Sequence, residues 1–370
     1  MHIHWFLPTG GDARDVVPVA GEPGVRAPDL EYLAQVARAA DHLGYEGLLT
    51  PCGTACEDAW LATAALIPLT ERVKFLVAFR PGLLSPTLAA QMASTYQRMS
   101  GGRLLLNIVT GAEPAELARF GDFADKDARY QRTGEFIEVM RGAWSGEPYD
   151  HTGAHYRAEG ATTRATPDPV PPIYFGGASP AAEQVAATQA DVYLAWGEPP
   201  AMVAERVARV GALAEAAGRQ LRFGIRFHVI TRPTSEEAWA VADRLLAGMD
   251  PAAIAAAQAD FARTQSEGQR RMAALHGDGD GSLEIHPNVW AGIGLVRGGA
   301  GTALVGSHEE VADRIDEYHR AGFDELILSG YPHLEEAYWF GEGVLPLLRD
   351  RGLVDPPARA EGAAPVSTFR

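Results

Sequence analysis

Lysine is almost missing from this chain. Lys74 and Lys126 are the only two among 32 basic residues, so positive charge is carried by arginine. Acidic residues number 48, giving a net charge of −16. That balance argues against a nucleic-acid or anionic-membrane partner. Cysteine is equally scarce. Cys52 and Cys56 are too few for an extracellular disulfide framework or a structural zinc site, and no metal site is expected. No apolar run approaches the roughly 20 residues that span a bilayer. Met1 to Gly10 lacks the basic start and apolar stretch of a signal peptide. No internal repeat has a solenoid period. The expectation is a soluble, cytoplasmic protein.

What is present is a regular alternation. Strand patterns at His2 to Pro8, Glu46 to Thr50, Lys74 to Phe79 and Arg103 to Val109 alternate with helical patterns at Leu30 to Leu43, Asp58 to Pro68 and Ser85 to Met99. The series continues with a helix at Tyr130 to Trp144, a polar excursion to Pro172, a strand at Ile173 to Phe175, a helix at Ala181 to Gln189 and a strand at Val192 to Ala195. A helix at Pro200 to Gly218, a strand at Leu221 to Ile230, a helix at Glu309 to Ala321, a strand at Glu325 to Leu328 and a helix at Leu334 to Leu348 complete it. Eight strands at this length favour a single α/β domain over 1–354, a (β/α)8 TIM barrel with insertions. An open doubly wound sheet is the alternative. The longest insertion, 234–306, falls between strands seven and eight. It contains Gly277 to Gly281 and a glycine-rich run in which 295–306 reads as a lid loop. The Pro/Ala-rich 355–370 reads as a flexible tail.

The seventh strand carries the sharpest pattern. Phe223, Ile225, Phe227 and Val229 share one face, and Arg222, Gly224, Arg226 and His228 share the other. The polar face belongs either to a solvated edge or to the interior wall of a barrel. The second case needs paired charges or an anionic ligand. The other strand ends bring Trp5, Phe6, Cys52, Cys56, Arg80, Asn107, Thr110, Gly177, Ser179, Trp196 and Tyr331 to the end where barrel enzymes keep their sites. Each has a plainer reading alone. Asn107 and Thr110 satisfy turn backbone, Ser179 caps a helix, and His228 is a satisfied interior ring. Together they fit a pocket for a flat, phosphate-bearing cofactor and an anionic substrate.

The chain closely resembles the FMNH2-dependent alkanesulfonate monooxygenases of the bacterial-luciferase-like superfamily. The resemblance rests on Trp5-Phe-Leu-Pro-Thr9, Cys56-Glu-Asp-Ala-Trp60, Lys74-Phe-Leu-Val-Ala78, Asn107-Ile-Val-Thr-Gly111, Trp196-Gly-Glu-Pro-Pro200 and Phe223-Gly-Ile-Arg226 with His228. It rests further on Leu295 to Gly306 and Leu328-Ser-Gly-Tyr-Pro-His-Leu-Glu-Glu-Ala337. It implies a barrel that assembles as a homo-oligomer, either a dimer or a tetramer. It implies reduced FMN supplied by a separate NAD(P)H-dependent FMN reductase, O2 as co-substrate, and cleavage of an alkanesulfonate to aldehyde and sulfite in sulfur acquisition. The catalytic residues it implies are Cys56, Arg226, His228, Arg297 and Tyr331. Flavin contacts in the wider superfamily fall on Asn107, Tyr130 and Ser179, with Arg129 beside Tyr130; their strand-end places add Thr110 and Gly177 as cofactor candidates and Trp5 and Trp196 as candidates for the substrate pocket. The segment Pro51-Cys-Gly-Thr-Ala-Cys56 departs from the family's Pro-Thr-Gly-Arg-Ser-Cys, and Thr9-Gly-Gly-Asp12 from its Thr-His-Gly-Asp. Alternatives are the same chemistry on methanesulfonate, a sulfone or another small organosulfur compound, a deazaflavin-dependent oxidoreductase, and a non-catalytic binder.

Overall fold

The sheet closes on itself. In this computed structural model, which describes residues 1–18, 24–276 and 283–356, the strands β1 (His2–Phe6), β2 (Gly47–Thr50), β3 (Lys74–Phe79), β4 (Leu104–Ile108), β7 (Ile173–Gly176), β8 (Val192–Trp196), β9 (Arg222–Arg232) and β13 (Glu325–Ser329) pair in parallel, and β13 bonds back to β1. The expected eight-stranded TIM barrel is therefore formed. Helices alternate with the strands outside it. α1 (Leu30–Leu43) begins on Asp29, whose carboxylate accepts from Tyr32 N, and ends on left-handed Gly44. α2 (Ala59–Leu66) and α3 (Pro86–Ser100) begin on Asp58 and Ser85. α4 (Pro114–Arg119) and α5 (Lys126–Ala143) follow β4, and the hairpin β5 (Tyr149–Thr152) with β6 (Arg157–Ala161) fills the polar excursion before β7. α6 (Pro180–Gln189) and α7 (Pro200–Ala216) complete this half.

Strand alternation sorts side chains between two cores. Phe6, Leu49, Leu76, Leu105, Tyr174, Val192 and Ile327 fill the barrel interior. Their neighbours Trp5, Leu48, Phe75, Leu104 and Phe175 point outward into the layer between sheet and helices. On β9, Phe223, Ile225, Phe227 and Val229 join that outer layer. Its polar face thus forms barrel wall.

β9 is eleven residues long and has two partners along one edge. Arg222 to Arg226 pair with β8, which ends at Trp196. His228 to Arg232 pair with β12 (Ala303–Ser307). Arg226 O accepts from Gly197 N, and His228 N donates to Thr302 O, so β12 prolongs the edge that β8 vacates. Thr302 Oγ1 splices the two by donating to Gly197 O at 2.7 Å. The insertion between barrel strands seven and eight also holds α8 (Ser235–Ala247), α9 (Pro251–Phe261), α10 (Glu267–Ala274) and the short β10 (Glu284–His286) and β11 (Val289–Trp290). The chain returns to the barrel through α11 (His308–Arg320) and closes with α12 (His333–Asp350).

The stretch expected as a lid loop, 295–306, is a loop only over 296–302. Residues 300 to 306 are buried, and 303–306 lie in β12. Gly277 to Gly281, and the expected tail apart from Asp355 and Pro356, lie outside the described residues. No helix among the described residues is long and apolar enough to cross a membrane.

Candidate active site

A cavity of about 250 Å³ opens at the C-terminal ends of β4, β7, β8 and β9. Asn107, Thr110, Arg129, Tyr130, Gly177 and Ser179, the residues expected to hold the cofactor, all line it, with Trp196 and Arg226. Their convergence follows from the fold. Asn107 is an inward position of β4, in register with Tyr174 of β7. Gly177 follows β7 in a tight turn, where a Cβ would lie 2.6 Å from the Ala182 side chain. Ser179 then caps α6, its hydroxyl accepting from Ala182 N. Ser179 is therefore an ordinary N-cap and also a cavity residue. The N-terminal end of α6, where the helix dipole favours an anion, begins beside this cavity residue. Lys126 lines the same cavity. Arg129 is buried, donates to Ala124 O (2.6 Å) and Gln265 Oε1 (3.3 Å), and keeps a buried Nε without a partner.

The cavity has a roof from the insertion. Residues 265–268 and Met272 line it from above. Three polar ties hold this strap to the barrel. Thr264 donates to Glu113 (2.6 Å), Gln265 accepts from Arg129, and Arg271 donates to Glu198 at 2.6 and 3.0 Å. Glu198 is buried and also accepts from Arg206 (2.7 Å). At Gly268 a Cβ would lie 3.0 Å from the Trp196 ring, so strap and wall are in close approach.

A second group of residues adjoins the cavity at Arg226. The Arg226 guanidinium lies over the Phe6 ring at 4.4 Å, and that of Arg297 lies over the same ring at 5.8 Å. Neither guanidinium has a carboxylate partner among the described residues, and Arg226 Nε and Nη2 are buried with no hydrogen bond. Burial, then the nearby Arg297 charge, push the Arg226 guanidinium down to about 9. By contrast Arg80, also at a strand end, is ion-paired with Glu116.

His228 is fully enclosed. Its Nε2 lies 3.2 Å from Ala300 O and its Nδ1 lies 3.0 Å from Ser329 Oγ. A carbonyl only accepts, so Nε2 carries the proton and Nδ1 accepts from Ser329. Burial, then the charges of Arg297 and Arg226, hold the ring well below its usual range, and it is neutral. Tyr331 stacks on it, with centroids 5.4 Å apart and planes at 15°. Cys56 is half-buried beside the β1–α1 loop, where Glu57 N donates to Thr9 O (2.9 Å). Burial holds its thiol above the usual range, in the protonated form.

Trp5 does not reach the pocket. It is an outward residue of β1, packed on Tyr45 (5.3 Å), with Nε1 donating to His333 O at 3.0 Å. Phe6 takes the inward place. Local pattern obscured the phase of β1, because Trp5 and Phe6 are both large, apolar and buried although they lie on opposite faces, Phe6 sharing the inward face with His4. Asp12, Gln265, Arg271 and His333 were also missed. Asp12 and His333 do lie inside the runs Thr9 to Asp12 and Leu328 to Ala337, but only folding brings the two runs together.

Comparison with known proteins agrees with this fold. Residues 1–325 match the family described as luciferase-like monooxygenase, and the chain belongs to that family of flavin-dependent monooxygenases. Its structure is similar to that of a riboflavin lyase with modified FMN and riboflavin (TM-score 0.80, 20% identity, 96% of this chain and 94% of that one). It is similar to EDTA monooxygenase from Chelativorans sp. BNC1 (TM-score 0.77, 22% identity, 95% and 94%). It also resembles the coenzyme F420-dependent tetrahydromethanopterin reductase of Methanopyrus kandleri (TM-score 0.64, 18% identity, 86% and 96%). Identities this low establish a shared fold.

Proposed function

We propose that the protein cleaves the C–S bond of alkanesulfonates, using O2 and reduced FMN from a separate NAD(P)H-dependent reductase, and releases an aldehyde and sulfite. The observation that carries this reading is the pair Arg226 and Arg297. Two guanidiniums with no carboxylate partner among the described residues adjoin a cavity in a chain that is strongly acidic overall. A sulfonate is a permanent anion whose oxygens match such forked donors. A neutral sulfone needs no such pair.

The cavity residues fit a phosphorylated flavin. Lys126, Arg129 with its free Nε, and the α6 N-terminus suit the phosphate, and Tyr130 and Trp196 suit the ring system. The volume lies just below the roughly 300–1,000 Å³ usual for such ligands, so the strap at 264–272 must yield when cofactor enters. When bound, the flavin supplies the two electrons that activate O2. The chain's part is to hold the sulfonate on Arg226 and Arg297, to keep water out with the strap, and to present neutral His228 under Tyr331.

The test is sulfite release from a series of n-alkanesulfonates with FMNH2 and O2. Sulfite is expected from at least one chain length, and its absence from all would overturn the reading. The likeness to an F420-dependent reductase supports a second reading, a deazaflavin-dependent oxidoreductase. Cofactor titration separates the two, since saturable binding of F420 but not of FMN would favour the latter.

A further inference from the structure

Arg297 is carried by the insertion, although its guanidinium lies over Phe6 of β1. Residues 294–301 form a loop closed at its neck, where Gly294 N donates to Gly301 O at 2.7 Å. Side chains of α9 and α10 hold its body. Gln258 donates through Nε2 to Leu295 O (2.8 Å) and Gly294 O (3.2 Å). Gln269, buried, accepts from Gly299 N at 2.8 Å. The donor there is a backbone N–H, so the amide oxygen is the atom that meets it. Gly298 and Gly299 allow this close approach. At Gly298 a Cβ would lie 3.2 Å from the Phe261 ring and 3.5 Å from Gln269 Oε1, and Gly299 has a left-handed φ of 88°. The same helix, α10, roofs the cofactor cavity, since Gly268 and Met272, on either side of Gln269 in sequence, line it. Trp196 touches both parts. A Cβ at Gly268 would lie 3.0 Å from its ring, and one at Gly299 would lie 4.0 Å from it.

We propose that Gln269 is a positioning residue for the anion-binding pair. From the roof of the cofactor cavity it fixes the Gly299 amide, and through it the place of Arg297 beside Arg226. The inference rests on the reading of Arg226 and Arg297 as sulfonate ligands.

Such a residue is needed because the pair is under tension. Arg226 and Arg297 carry like charge beside one ring and repel each other. Arg226 is confined to β9, but Arg297 sits on a glycine-rich loop and has a long side chain. Left free, the loop would relieve the repulsion by carrying Arg297 away, and an arriving anion would have to bring it back at the expense of affinity. A tether on the Gly299 amide, two residues on, holds the loop in its binding place. The tether also has to be neutral. A carboxylate at position 269 would hold the same amide, but it would answer the charge that the anion is to meet. Glutamine holds the backbone and leaves the guanidinium without a counter-charge. Its own place is set by α10, where Ser266 caps the helix by accepting from Gln269 N at 3.1 Å. Roof and second guanidinium are thus joined through one side chain.

The experiment is a double-mutant cycle read by calorimetric titration of octanesulfonate into the full chain with oxidised FMN present, where no turnover occurs. Gln269→Met keeps the length of the side chain and removes the acceptor. It is expected to weaken sulfonate binding roughly five- to tenfold, and Arg297→Met roughly 10- to 100-fold. In the Arg297→Met background, Gln269→Met should change the affinity less than about twofold, because the residue it positions is gone. A glutamine that merely stabilised the roof would weaken binding by the same factor in both backgrounds. Gly298→Ala presses on the same joint from the loop side and leaves Gln269 in place. It should weaken binding in the wild type and be equally silent without Arg297, so the cycle can be closed even if Gln269→Met does not fold. Losses that multiply in the double variants, or single variants within twofold of the wild type, would overturn the inference while leaving the sulfonate reading intact. No sulfonate binding by the wild type would overturn both.

Discussion

Two polar clusters occupy the interior of the same barrel, one near each end. Near the N-terminal ends of the strands, Glu325 is fully buried and ion-paired with His4 (3.1 Å) and Arg222. Burial pushes its carboxyl up, and the hydrogen bond from His4 with the charges of His4 and Arg222 more than reverses this. Near the C-terminal ends, Arg226 and Arg297 share the Phe6 ring, and no carboxylate among the described residues answers them. Both clusters draw on one face of β9, since Arg222 and Arg226 are four residues apart on it. What differs is the presence of a counter-charge. A buried charge with its partner belongs to the structure. A buried charge without one stores a deficit that only a ligand of opposite sign removes.

The comparison is broken most directly at Glu325. Glu325→Ala leaves His4 and Arg222 unpaired and is expected to cost about 3–5 kcal/mol in denaturant unfolding. A loss under 1 kcal/mol would mean that the lower cluster is not structural in the sense argued. Arg226→Met should do the opposite. Stability is expected to stay within about 1 kcal/mol or to rise, because an uncompensated charge is removed. Sulfonate affinity is expected to fall roughly 10- to 100-fold, the weight of a charge-assisted hydrogen bond. Destabilisation as large as that of Glu325→Ala would erase the distinction between the clusters.

A pH series sharpens it further. The folded site refuses the proton that His228 binds in the unfolded chain near its ordinary 6.5. The unfolded state therefore holds more protons below that pH, and stability falls as pH drops through 6.5. His228→Gln should remove up to about 1.4 kcal/mol per pH unit of this slope. Equal slopes in variant and wild type would show that the ring charges freely in place. The smallest effect is expected at Trp5→Phe. It loses one hydrogen bond to the His333 carbonyl, about 1 kcal/mol of stability. Because Trp5 faces away from the cavity, sulfonate affinity should change less than about threefold, read by the same titration.

Much of this was legible before folding. The two faces of β9 were readable because apolar and polar residues alternate without a break from Arg222 to His228, and alternation in a strand is geometry. The gathering of the cavity residues at one end was legible for a related reason. A barrel brings every strand end to one rim, so Asn107, Tyr130, Gly177 and Ser179 meet although far apart in sequence. Arg222 was separable from Arg226 by its place at the start of the strand. The misreading of Trp5 has the complementary cause. In β1 the successive Trp5 and Phe6 are both large and apolar, and the weak signal of His4 on the face of Phe6 was not used. The glycine-rich 295–306 misled likewise. Glycine there permits close packing as well as motion, and Gly301 packs against Gly294 rather than opening a hinge.

The sequence alone determined the alternation of elements, the closed barrel that eight such units build, and the residue types at its rim. These follow from periodicity and residue type, which are local. The tertiary structure alone decided which charges have partners. Arg80 and Arg226 are the same residue near strand ends on one rim, yet Arg80 meets Glu116 while Arg226 meets no carboxylate among the described residues, lying instead near Arg297, Tyr331 and Phe6. It also decided that Asp12 reaches His333 across 321 positions of chain. Pairing depends on distances between segments remote in sequence, and those are set only when the barrel closes.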